Sequence, residues 1–85
     1  MKILETKKFF DPLCMQWLIE VSVSIPSGEK IVVTFTDTES KVANVGGTNY
    51  VICKKNDKKI FIEKYPHVLE FAQQEAENVY HQIIK

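Results

Sequence analysis

The sequence predicts an α+β domain, an antiparallel sheet of four to five strands with one C-terminal helix packed on one face. Three observations carry this expectation. Residues 16–25 and 31–36 alternate apolar and polar side chains with the period of two of a half-buried strand. Pro26, Ser27 and Gly28 separate these runs with turn chemistry. Residues 66–84 repeat apolar side chains at three- and four-residue spacing, the period of an amphipathic helix. A chain of 85 residues suits a single domain, 1–85, with one modest core and little room for a deep catalytic cleft.

Residues 2–9 form a weaker strand that can pair at a sheet edge, and Asp11-Pro12 ends it. In the next run Trp17, Ile19, Val21, Val23 and Ile25 share one face, while Leu18, Glu20, Ser22 and Ser24 share the other. Taking Pro26-Ser27-Gly28 as a three-residue loop puts Gly at the left-handed position. Ile25 then pairs with Glu29, and Val23, Val21 and Ile19 lie opposite Ile31, Val33 and Phe35. A two-residue loop would shift the register by one and mix the faces, so the longer loop is expected.

A second hairpin is expected over residues 49–64, turning at Asn56-Asp57. It would place Cys53 opposite Ile60 and Val51 opposite Ile62, with Ile52 and Phe61 paired on the reverse side. Residues 38–49, with Gly46-Gly47 near their end, read as a crossover or mobile connection holding a helical turn at 40–43. The final helix, 66–84, takes Pro66 at its first position. Leu69, Ala72, Ala76, Val79 and Ile83 make its apolar stripe. Phe71 lies off that stripe, where the N-terminal segment is expected to cover it.

Geometry then raises a difficulty. Five strands at ~4.8 Å spacing span ~24 Å, whereas a helix is only ~10 Å across. Either the sheet curls into an SH3-like half-barrel closed by the helix, the alternative architecture, or its second face meets a partner. That face is expected to carry Leu18, Val32, Tyr50, Ile52 and Phe61, a mixture common at interfaces.

Composition narrows the function. Eleven acidic and eleven basic residues balance, and every basic residue is Lys. Without Arg the chain lacks the bidentate fork that reads phosphates and guanine edges. Lys54, Lys55, Lys58 and Lys59 form the one charge cluster and the one candidate nucleic-acid contact. His67 and His81 stand fourteen positions apart, ~21 Å along a helix, and cannot share a metal. Cys14 and Cys53 have no metal-ligand spacing and read as reduced, structural thiols. Cys14 after Asp11-Pro12-Leu13 is the one conceivable nucleophile; Asp37 and Glu39 are the one close carboxylate pair.

No signal-peptide-like or membrane-spanning run is present. The expectation is therefore a cytoplasmic, non-catalytic protein–protein interaction module without cofactor or metal, homodimeric through the sheet face opposite the helix. Accessory and inhibitor proteins of phages and mobile elements share this size and composition. The alternative is a nucleic-acid-binding protein using the lysine cluster.

Overall fold

The computed structural model describes residues 1–36 and 41–84. Five strands precede two helices: β1 (Lys2–Asp11), β2 (Gln16–Ser24), β3 (Lys30–Thr36), β4 (Lys41–Val45), β5 (Thr48–Val51), α1 (Lys55–Lys64) and α2 (Val68–Ile84). The strands form one antiparallel meander in the order β1-β2-β3-β4-β5. The α+β class and the sheet with a C-terminal helix are as the sequence predicts.

The central register also agrees residue by residue. Ile19 pairs with Phe35, Val21 with Val33 and Val23 with Ile31. The turn closes through Gly28 N–H to Ile25 O at 2.9 Å and Ile25 N–H to Glu29 O at 3.2 Å. Gly28 has φ +92°, a conformation in which a Cβ would be strained. These pairs put Ile19, Val21, Val23, Ile31, Val33 and Phe35 on one face, all buried. Each such side chain contributes about 1.5–3 kcal/mol through lost contact with water.

The C-terminal third departs from expectation. Residues 49–64 are not a hairpin: β5 ends at Val51 and Lys55–Lys64 is helical. Ile60-Phe61-Ile62 suggested alternation, but so short an apolar run fits either structure. The surrounding lysines and Glu63 are good helix formers, and Lys58 N–H bonds Lys54 O at 3.0 Å to close the first turn. The missing strand comes from the segment expected to be a connection. β4 and β5 flank Gly46-Gly47, whose φ values of 56° and 88° make the tight turn a two-residue hairpin favours. Ala43 is a core strand residue, not part of a helical turn.

Helix α2 starts at Val68, two residues after Pro66, with Phe71 N–H bonded to His67 O at 3.1 Å. Val68 lies beside Ile25, whereas Ala76 and Tyr80 lie beside Ile19 and Phe35, so α2 runs antiparallel to β2. It packs across β1, β2 and β3, using buried Val68, Ala72 and Ala76 for close approach. Phe71 is half-buried against the same core. Helix α1 packs beside β5 and sends Phe61 inward. Two helices, not one, cover the wide sheet, which removes the mismatch of widths.

Candidate interaction surface

The five residues expected on the face opposite the helix separate. Leu18 pairs with Phe9 and Thr36, and Val32 pairs with Ser22 and Asn44, all on the face away from α2. Leu18 and Val32 are half-buried there. Tyr50 pairs with Ala43 on the core side and meets the Phe61 ring at 5.4 Å. Phe61 is fully buried, with Tyr65 on its other side at 5.3 Å, and Ile52 is 6% exposed. Phe61 and Ile52 therefore belong to the core, because α1 folds back over the sheet where a flat hairpin was expected. They offer no surface to a partner.

Apolar exposure is concentrated elsewhere. Of the nine large apolar side chains exposed among the described residues, Leu4, Phe9, Phe10, Leu13 and Met15 belong to β1 and the turn after it, and Met1 immediately precedes β1. The turn is built locally: Asp11 Oδ1 accepts the Leu13 backbone N–H at 3.0 Å, and Met15 takes φ 53° to re-enter β2. Leu13 is 94% exposed and Met15 75%. Neighbouring strand positions face opposite ways. Phe10 accordingly stacks edge-on to Trp17 at 5.5 Å on the α2 side, while Phe9 pairs with Leu18 on the other. Both faces of the hairpin end are therefore apolar. The signal in the sequence is local: adjacent phenylalanines in an edge strand point to opposite faces, and Leu and Met are unusual in an exposed turn.

Lys54, Lys55, Lys58 and Lys59 are exposed around the first turns of α1. Asp57 sits among them, its Oδ2 accepting the Val51 N–H at 3.2 Å. The cluster is thus a helical one and not the finger of a hairpin.

Both thiols are free and exposed, so neither is the structural core residue expected. The Asp11 carboxylate beside Cys14 pushes its thiol above the ordinary value, by charge and by hydrogen bonding. A thiol held protonated is the reverse of an activated nucleophile. His67 takes φ 68° and its Nδ1 lies 3.6 Å from Glu70 Oε2, an exposed pair. Among the described residues no group of three His, Cys, Asp or Glu side chains converges as metal ligands would. The Asp37 and Glu39 pair lies outside the described residues. A cleft of about 310 Å³ between α1 and α2 has Ile52, Ile62 and Leu69 in its lining, with Lys58 and His67 beside them. Among the described residues no helix is long and apolar enough to cross a membrane.

Comparison with protein-family models, with curated proteins and with solved structures returns no match.

Proposed function

We propose that this protein is a small non-catalytic interaction module whose working surface is β1 with the β1–β2 turn. The carrying observation is the gathering of six exposed large apolar side chains on residues 1–15. Four of them, Phe9, Phe10, Leu13 and Met15, cluster at the β1–β2 end, and an apolar cluster of this kind marks a contact surface. Leu18 and half-buried Trp17 extend the patch over both faces of the hairpin end. A cytoplasmic setting suits two exposed free thiols, which an oxidising compartment would not leave reduced. In size and composition the chain matches accessory or inhibitor proteins of phages and mobile elements, which act by contact.

Photo-cross-linking in the producing cell tests this reading. A cross-linker at Leu13 is expected to yield a discrete protein adduct, whether with the same chain or another. One at Glu63, exposed on α1, is the control. Equal or absent adducts at both positions would count against a contact role for the hairpin.

A second reading rests on one feature, the collection of Lys54, Lys55, Lys58 and Lys59 at the N-terminal half of α1. There the positive end of the helix dipole adds to the lysine charges, favouring a polyanion such as nucleic acid. Salt-sensitive retention on DNA or RNA, lost when all four become Gln, would favour this reading over the first.

A further inference from the structure

We propose that the partner of β1 is a second copy of this chain, whose own β1 adds antiparallel to form a continuous sheet about a two-fold axis. The inference rests on the interaction-module reading and names its occupant. The two edges of the meander differ. β5 has four residues, and its end is tied to α1 by the Val51 N–H to Asp57 Oδ2 bond. β1 has ten residues and pairs only with β2 among the described residues. A long edge is a row of backbone donors and acceptors ready for another strand.

The order of side chains along β1 is complementary to itself when reversed. Met1 and Leu4 are exposed at one end, Phe9 and Phe10 at the other, and Glu5, Thr6, Lys7 and Lys8 lie between. A two-fold axis normal to the sheet, passing beside Thr6, sets Thr6 opposite its own copy. Glu5 of each chain then faces Lys7 of the other. Glu5 pairs with Ser22 and Lys7 with Glu20 within the chain, so both project from the face away from α2 and can meet across the seam. Their 3.9 Å contact within one chain shows the two groups already within ion-pairing reach. Centring the axis on Lys7 instead would set like charges face to face, which disfavours that register.

Beyond the axis, residues 1–4 of one strand lie along residues 8–10 of the other. The bulge between Ile3 and Glu5 reverses the facing of the first residues. It brings Met1 opposite Phe10, so that these two exposed apolar side chains cover each other on the α2 side, while Lys2 lies opposite Phe9. The axis keeps both α2 helices on one face of the joined sheet. On that face Glu75 approaches Thr6, with Oγ1 to Oε1 at 3.4 Å, and Phe71 sits one turn earlier on the same side of α2. The reversed strands also carry each apolar β1–β2 turn toward the other chain's Met1 end.

Sedimentation equilibrium across a concentration series decides the matter. The wild type is expected to rise from 9.8 kDa to twice that mass. Glu5→Lys and Lys7→Glu each set like charges opposite at two symmetric places and should weaken the dimer about tenfold or more. The double variant Glu5→Lys/Lys7→Glu should restore it, and the cross-link at position 6 then distinguishes pairing across the seam from the Glu5–Lys7 contact within one chain. In a Cys14→Ser/Cys53→Ser background, Thr6→Cys should oxidise to a disulfide dimer, since directly opposite strand positions fall within disulfide reach. A wild type that stays at monomer mass overturns the proposal, with lysines and bulge then serving to block edge pairing. A dimer indifferent to the charge variants overturns it equally. Neither result removes the interaction-module reading if the Leu13 cross-linker still captures a different protein.

Discussion

Replacing Phe61 separates the helical arrangement from the hairpin that the same residues suggest. The ring is fully buried and lies between Tyr50 and Tyr65 at 5.4 and 5.3 Å, so Phe61→Ala leaves a cavity walled by two aromatic rings. Truncating a buried Phe costs about 3–5 kcal/mol. A domain of this length holds roughly 4–13 kcal/mol in total, at about 0.05–0.15 kcal/mol per residue. The variant therefore loses about a quarter or more of its stability and melts at least about 12 °C lower, since 1 kcal/mol shifts the midpoint by about 4–8 °C at this size. Ile60 and Ile62 are each 44% exposed, and Ile60→Ala and Ile62→Ala should cost about 1 kcal/mol or less. Urea titrations followed by far-ultraviolet circular dichroism measure all three. In a hairpin, Ile60 and Ile62 would face the core and Phe61 the other side, so the order of costs would invert. A mild Phe61→Ala beside severe isoleucine variants would refute the helical placement and the core built on it.

Three further outcomes follow from the geometry. Burial, and then the nearby Glu29 carboxylate, raise the Tyr65 phenol above its ordinary value. The folded state thus holds this proton more tightly, and the stability it contributes is present below about pH 10 and lost as pH rises through the raised value. Tyr65→Phe should lose less stability across that alkaline range than the wild type, as alkaline urea titrations can measure; equal losses would contradict the shift. Asp11→Asn should speed alkylation of Cys14 by iodoacetamide at pH 8 and leave Cys53 unchanged, as peptide mass spectrometry would report, because the carboxylate raises the thiol. Gly46→Ala and Gly47→Ala should each cost about 1–2 kcal/mol, the strain of an L side chain at positive φ. Asn at either position should cost less, and denaturant midpoints check the order.

The central hairpin was legible because two local rules agreed. Pro26-Ser27-Gly28 allows one loop that keeps Ile19, Val21 and Val23 opposite Phe35, Val33 and Ile31, and any other register would put apolar side chains in water. The stripe of α2 was legible for the same reason, its spacing matching one period over several turns. Neither rule reaches residues 41–64. Lys41–Val45 is a five-residue strand with little apolar alternation of its own, and its identity depends on pairing with β3. Gly46-Gly47 is a hairpin turn only once a strand lies on each side.

Three of the five residues expected on the face opposite the helix point elsewhere for a related reason. Tyr50, Ile52 and Phe61 look like a face only on a flat sheet, and the folding back of α1 turns them inward. Phe9, Phe10, Leu13 and Met15 were plain in the sequence, but their exposure follows from where the sheet ends. Periodicity and turn chemistry determined the class, the central register and the C-terminal helix, since each depends on neighbours within a few residues or one turn. Tertiary packing decided which apolar residues stay in water, because burial depends on what lies across the sheet, and no local pattern encodes that.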